Sequence, residues 1–527
     1  MLQENESSNE VTISFNKATG EKTGSTKIDS VDSLKTIIEN SRKAQKEWKE
    51  LPIKKRTFYI KKLSSIVCEK SDEIAKTIVE DNGKTKIDAM LSEILPAAMA
   101  TAFYTKKAKK YLKTRYIMPG NFLLSNKISR IKKVPFGVIG IISPWNYPFA
   151  IPFSEIVMGL LAGNTVVLKV ASETQMVGKI LKEVFEEAGL PENVFNYVNI
   201  PGRIAGDAFL ENGIDKLFFT GSVPVGKYLM GKASETLTPV SLELGGNDAA
   251  LVCKDADIGR TVDGIIWAGF QNAGQSCGGV ERVYVHEDIY DPFMKELKIR
   301  VENLRIGYDE DFNVDIGLMT TKKQVETVKS HLKDALEKGA EIYAKSITTD
   351  ENKWNNLVCP CVLSNVNHEM IVMKEETFGP LIGVMKIKNM DEGIDLANDS
   401  NLGLTASVWS SNRRNAIKIA SKIKAGAVTI NDHLMSHGLA ETPWGGFKES
   451  GIGRAHGELG FAEMTEPQVI VNDILPFVKR NMWWHPHSKN VYFGLKGIVD
   501  FLYGKGIKKR FSGLYRMLKL FPRTFIR

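Results

Sequence analysis

A chain of 527 residues, 43% hydrophobic and 25% charged, can bury a large core and divide into two or three domains, which excludes an intrinsically disordered protein. Its net charge of +8 is not a nucleic-acid signature, because residues 479–527 hold twelve lysines and arginines against one acid, Asp500, while the remaining 478 residues hold 58 basic and 61 acidic side chains. The five cysteines, Cys68, Cys253, Cys277, Cys359 and Cys361, are odd in number, thinly spread and preceded by no apolar leader, so a cytoplasmic, reducing setting is expected.

Residues 1–10 are polar and expected to fray. From Ser30 to Lys110 apolar residues recur at helical spacing with Asp and Ser near the segment starts, predicting a run of long helices. After Pro135 the texture changes. "FGVIGII" is a continuous apolar run, "PFSEIVMGLLAGN" is helical, "TVVLK" is a second buried strand, and the alternation continues through "VFNYVNI", "GRIAGDAFLENG", "IDKLFFTGS" and "VPVGKYLMGKASE". Strands alternating with helices of this length predict βαβ units, a parallel sheet and an α/β fold. A second α/β stretch from Asn247 to Asp432 suggests another domain of similar construction. Cys359-Pro360-Cys361 has no second ligand pair at zinc spacing, so no metal site is expected.

In such a sheet ligands gather at the carboxyl ends of the strands, and four polar turns after strands stand out. In "SPWNYPF" (143–149) two prolines fix Asn146, whose amide can donate to a developing oxyanion. "LKVAS" places Lys169 and Ser172 where they can reach a ribose. "FTGSVPVG" opens a helix with Gly221, Ser222 and Gly226, a place for a pyrophosphate, although the spacing is not the usual dinucleotide fingerprint. "LELGGND" sets Glu243 at a strand end, as a cap or as a desolvated base. Taken singly, each also has an ordinary explanation: a proline turn, a solvated lysine, a helix start, a cap. "QNAGQSCGGVERV" (271–283) adds one cysteine, Cys277, flanked by Ala273, Gly274, Ser276, Gly278 and Gly279.

Taken in order, SPWNYPF, LKVAS, FTGSVPVG, LELGG, GQSCGG, EETFGP (375–380) and PWGGFKESGIGR (443–454) resemble the aldehyde dehydrogenase superfamily of the hydrolytic, non-CoA-acylating type, from about Phe15 to about Asp473. The resemblance implies a Rossmann-like cofactor domain (10–117 and 134–245), an α/β catalytic domain (246–463) and oligomerisation strands (118–133 and 464–475), hence a homo-oligomer, with 476–527 left as a basic tail. It implies that Cys277 is the nucleophile, Glu243 the general base, and Asn146 with the Cys277 N–H the oxyanion hole. Lys169 and Ser172 would contact the adenosine ribose of NAD or NADP, Trp145, Gly221, Ser222 and Gly226 would lie along the cofactor, and Glu376 and Phe378 would hold its nicotinamide end. On this reading the small flanks of Cys277 make room for two ligands around one thiol.

Two departures stand out. Many relatives carry Glu where this chain has Ser172, so NADP is expected to be admissible beside NAD; many carry Glu directly after the Gly-Arg of the last motif, where Ala455 and His456 follow Arg454 here. The substrate pocket is expected to include Tyr147, Ser154, Ser276, Leu434 and Met435, without an arginine to clamp a second carboxylate. The tail, from about residue 481, places Phe511, Leu514, Tyr515, Leu518 and Phe521 on one helical face among lysines and arginines. It has no apolar run long enough to span a bilayer, so a peripheral anionic membrane surface is the expected partner and a lipophilic aldehyde the expected substrate. The alternatives are a soluble dehydrogenase of small or semialdehyde substrates whose tail completes an oligomer, and a catalytically silent scaffold; nucleic acid is not expected.

Overall fold

The computed structural model describes residues 10–348 and 353–526; the polar segment 1–9, expected to fray, lies outside them. The chain forms two units, residues 10–112 with 134–466, and residues 113–133 with 467–526.

In the first unit the long-helix reading holds. Helices Val31–Trp48, Ile53–Glu69 and Ser71–Asn82 are followed by a helical run from Lys86 to Tyr111 that widens into a π-helical turn at Met90–Ile94. The Ser30 hydroxyl caps the first by accepting from the Ser33 N–H. The six-stranded sheet runs Gly451–Ile452, Val240–Glu243, Lys216–Thr220, Val138–Ile142, Thr165–Lys169, Phe195–Val198. It is parallel except at the short Gly451–Ile452 strand. Val138–Ile142 and Thr165–Lys169 are buried at every position, which is why they read as unbroken apolar runs. The strand order reverses between Val138–Ile142 and Lys216–Thr220, and the loops leaving these two strands flank the crevice that such a reversal opens.

The second sheet has seven strands in the order Glu341–Lys345, Cys361–Ser364, Leu381–Ile387, Val280–His286, Asp248–Val252, Thr405–Trp409, Ala427–Ile430. All pairs are parallel except the first. Cys361 therefore sits in a sheet strand.

In the second unit, Lys127–Pro135 lies between Arg115–Ile117 and Thr465–Asp473, and the last of these is an edge strand exposing Val469, Ile470 and Val471. Helices Lys489–Tyr503 and Ile507–Leu520 form a hairpin whose backbones touch: a Cβ on Gly513 would stand 2.4 Å from the Phe501 nitrogen. The single acid of this region, Asp500, is answered within the hairpin by Lys509 and Arg516. Phe511, Tyr515, Leu518 and Phe521 remain exposed, as do Tyr492, Val499 and Tyr503. No helix among the described residues is long and apolar enough to cross a membrane.

Candidate active site

The loop after Val138–Ile142 is held from beneath by the helical region. Asn146 is 3% exposed. Its Nδ2 donates to the Gln275 carbonyl at 3.1 Å, and its own carbonyl accepts from Lys84 Nζ at 2.8 Å and Asn272 Nδ2 at 3.0 Å. Asn82 Nδ2 donates to the Trp145 carbonyl at 2.8 Å, and Glu93 accepts the Phe149 and Ala150 N–H groups. Asn146 is thereby aimed at the Cys277 loop with one amide hydrogen committed and the other left for a ligand. Asn82, Lys84 and Glu93 were not legible as site residues, since in sequence they are ordinary polar residues of the helical region.

The Cys277 loop reaches the site through three successive left-handed residues, Asn272, Ala273 and Gly274 (φ 55°, 53° and 70°), a conformation that costs energy for all but glycine. A Cβ on Gly274 would lie 2.3 Å from the Gly379 carbonyl carbon, and one on Gly246 would lie 2.4 Å from the Cys277 carbonyl oxygen. Beyond the room for two ligands expected of the small flanks, Gly274 and Gly246 let backbone pack on backbone, and Gly278 borders the tunnel. Cys277 also precedes its strand, Val280–His286, as Glu376 and Phe378 precede Leu381–Ile387. The catalytic sheet thus offers the amino ends of its strands to the site, where the carboxyl-end rule does not look.

Around the thiol stand three carboxyls. Burial pushes the Cys277 thiol up, and Glu376, Asp248 and Glu243 add to it, while the residue's own N–H favours the thiolate. Glu243 is pushed well above the usual carboxylate range by burial and then by Glu155, and its Oε2 has no hydrogen-bond partner. Asp248, pushed by burial up to about 8, accepts from the Thr405 N–H and hydroxyl. Glu376 accepts from the Gly246 N–H at 3.1 Å, and burial raises it too. The Thr377–Phe378 turn is clamped by Glu281, which accepts both N–H groups. Phe378 (φ 52°) meets the Trp145 ring edge-on at 5.4 Å.

At the carboxyl edge of the first sheet, Lys169 is buried, its charge disfavoured by burial and supported by Glu173. Ser172 is exposed beside it. Helix Val223–Ala233 starts at Ser222 with no side-chain cap and Pro224 in its first turn, so the Val223 and Val225 N–H groups remain for an anion. Gly221 is the half-exposed residue that leads into this turn. Gly226 differs from expectation: its N–H donates to the Ser222 carbonyl at 3.0 Å, and its missing side chain admits Leu244, whose Cδ2 would be 2.6 Å from a Cβ. It shapes the turn without offering a donor. A buried lysine, an exposed serine and an uncapped helix start along one sheet edge fit an adenosine ribose and a pyrophosphate.

A tunnel with a free volume of about 120 Å³ ends at Cys277. Tyr147, Ser276, Leu434 and Met435 line it as expected, and Leu91, Leu95 and Met99 of the helical run form its other wall. No lysine, arginine or carboxylate lines it, and its histidine, His437, is held neutral by burial that takes it down to about 4. Tyr147 is fixed by its hydroxyl donating to Gln271 at 2.7 Å and by Lys84 Nζ 4.4 Å above its ring. Ser154 lines a separate small cavity beside Glu243, on the helix face it shares with Ile151, Glu155 and Met158, and so lies outside the tunnel it was expected to line.

Comparison with known proteins agrees with this architecture. The family model described as "Aldehyde dehydrogenase family" matches residues 3–470. The chain is 36% identical over 468 residues to a 4,4'-diapolycopene aldehyde oxidase of a Methylomonas species, covering 89% of this chain and 87% of the relative. It is 32% identical over 455 residues to a putative NADP-linked succinate-semialdehyde dehydrogenase of Mycolicibacterium smegmatis, covering 86% and 87%. Among solved structures, the NAD+ complex of aldehyde dehydrogenase from Bacillus cereus superposes with a TM-score of 0.83 at 30% identity, covering 88% of this chain and 94% of that one. An NADP-dependent enzyme of E. coli does so at 0.83 and 32%, covering 88% and 95%. With the family model matched over most of its length and the fold shared, the chain belongs to the aldehyde dehydrogenase family.

Proposed function

We propose that this NAD- or NADP-dependent enzyme oxidises a lipophilic aldehyde to its carboxylic acid at a membrane surface, with Cys277 as nucleophile. The observation that carries the reading is the apolar tunnel ending at Cys277 with no cation in its lining. A semialdehyde needs a partner for its second carboxylate, and burying that group unpaired is costly; here it would meet leucines and methionines. The relative named for a 4,4'-diapolycopene aldehyde supports the same direction.

With its proton given up to solvent, the Cys277 thiolate adds to the aldehyde carbon, and the oxyanion is received by the Asn146 amide and the Cys277 N–H. When bound, NAD(P)+ supplies the hydride acceptor; Lys169, Ser172, the start of helix Val223–Ala233, Glu376 and Phe378 would hold it. The acyl group then rests on Cys277 as a thioester. Glu243 takes a proton from water, the water oxygen bonds to the acyl carbon, and the carbon–sulfur bond breaks with its electron pair returning to sulfur.

The exposed apolar face of the C-terminal hairpin, with its surplus of lysines and arginines, would lie on an anionic bilayer, and the unpaired edge Thr465–Asp473 would join a second copy of the chain. A chain-length series of aldehydes assayed with both cofactors tests the substrate reading. Rising kcat/KM with chain length supports it, and best turnover of succinate semialdehyde defeats it.

A further inference from the structure

Helix Ala150–Ala162 is buried at all 13 positions, and in its middle stands an acid, Glu155, with no hydrogen bond or ion pair to any described residue. A carboxyl so removed from water keeps its proton unless another group shares the charge. Glu155 lines two cavities, of about 20 and 10 Å³, and Glu243 lines both. The larger adjoins the tunnel and shares Ile151, Cys277, His437 and Trp444 with it. Three of its lining residues, Thr220, Glu243 and His456, each have a buried polar atom without a protein partner (Oγ1, Oε2 and Nε2). A polar space of that size holds one water.

We infer that Glu155 and Glu243 are one carboxyl pair sharing a proton around this water site, and that the pair, not Glu243 alone, receives the proton of the deacylating water. The inference rests on the reading of Glu243 as the deacylating base. Two carboxyls desolvated together do not both ionise near neutrality, so the first to lose its proton raises the other. Burial holds Glu155 up to about 8, and its charge adds to burial in raising Glu243. The proton balance closes within the chamber. One water proton passes to the ionised pair, the oxygen bonds to the thioester carbon, and the sulfur of Cys277 leaves with the bond's electrons. The second cavity leads on to Ser241, whose hydroxyl donates to Glu463 at 2.6 Å, and Glu463 is partly exposed and paired with Lys216. That is a path outward for the proton.

The charged and titratable groups on the elements packed against helix Ala150–Ala162 are already committed. Lys84 is paired with Glu93, the Arg56 guanidinium donates to the Leu161 carbonyl, and Tyr104 is bonded to the neutral His456. Arg454 acts on Glu243 from the second cavity and favours its ionised form.

The test follows deacylation by rapid mixing across the neutral pH range in the full-length enzyme. In Glu155→Gln the acidic limb of the deacylation rate is expected to move to higher pH by about one unit, because an ionised Glu243 no longer shares the proton of a neighbouring carboxyl; Glu155→Asp keeps a carboxyl in the chamber and keeps the limb near its original place. Glu155→Met, which suits an apolar helix, gives the same readout as Gln. A limb that stays in place in Gln and Met variants that melt normally and bind cofactor overturns the pair. Glu243→Gln separates the two levels: if it leaves deacylation intact, the base assignment falls; if it stops deacylation while Glu155→Gln leaves the limb in place, the pair alone falls.

Discussion

Lys84 and Glu93 form an ion pair of 2.7 Å with both side chains fully buried, and the same ammonium donates to the carbonyl of Asn146 at 2.8 Å. The pair ties Asn146, the proposed oxyanion donor, to a helical turn nine residues of sequence away from the lysine, so on that reading one contact would serve both folding and catalysis. Lys84→Met leaves Glu93 buried without its cation, which costs about 3–5 kcal/mol. Thermal melting is expected to fall accordingly, with kcat falling more than KM rises. Unchanged kcat in a destabilised variant would detach the pair from the positioning of Asn146.

On the proposed mechanism Cys277→Ala removes the atom that carries the acyl group, while the proposed cofactor contacts lie elsewhere. Turnover is expected to drop by roughly 10⁴-fold or more, with cofactor affinity, read by fluorescence titration, nearly intact. Substantial residual oxidation takes the nucleophile role from Cys277.

Glu243→Gln keeps the shape of the side chain but cannot accept a proton from water. Deacylation is expected to slow by about 10²–10⁴-fold, and a rapid-mix trace should show one enzyme equivalent of reduced cofactor followed by a slow phase. Loss of the burst itself, with the thiol still reactive toward an alkylating probe, would assign Glu243 to the first half-reaction instead.

Much of this site was readable beforehand because its motifs are short and contiguous: Asn146 lies between two prolines, and Cys277 lies in a run of small residues. The alternation of strands with helices gave the α/β class for the same local reason. What stayed hidden depends on contacts distant in the chain. Glu155 sits inside "PFSEIVMGLL" as a lone acid in an apolar helix, and only packing places it beside Glu243. Gly226 read as a phosphate donor because its neighbour Leu244, eighteen residues on, could not be seen filling the space its Cβ would take. Cys277 lies before its strand, and an argument from strand ends alone points to the wrong edge of the second sheet.

Ser172→Glu places a carboxylate beside an exposed sheet edge that already carries Glu173. Added repulsion toward a 2′-phosphate is expected to lower NADP use by about tenfold relative to NAD. Equal loss with both cofactors would mean that Ser172 does not face the ribose.

Phe511→Glu with Leu518→Glu alters two exposed positions of the C-terminal hairpin and spares its glycine crossing. Binding to anionic vesicles is expected to weaken strongly, since buried apolar surface contributes about 25 cal/mol per Å² and salt screens only the basic residues' share. Deleting residues 481–527 should abolish binding and lower activity on membrane-borne long aldehydes while sparing short ones. If intact and truncated proteins sediment alike with vesicles, the hairpin serves another partner.

The four residues shared by tunnel and chamber, Ile151, Cys277, His437 and Trp444, bear on how the proposed long substrate would be handled. With a single entrance, a chain that plugged the tunnel would shut out the water its own thioester awaits, and each extra methylene would slow the last chemical step. On the proposed reading the chamber removes that conflict: the hydrocarbon would fill the tunnel while hydrolysis draws on the water site beside Glu243. Chain length is then expected to govern capture and departure of the ligand and to leave the hydrolytic step untouched, so that one thiol would process chains of very different reach at a common pace.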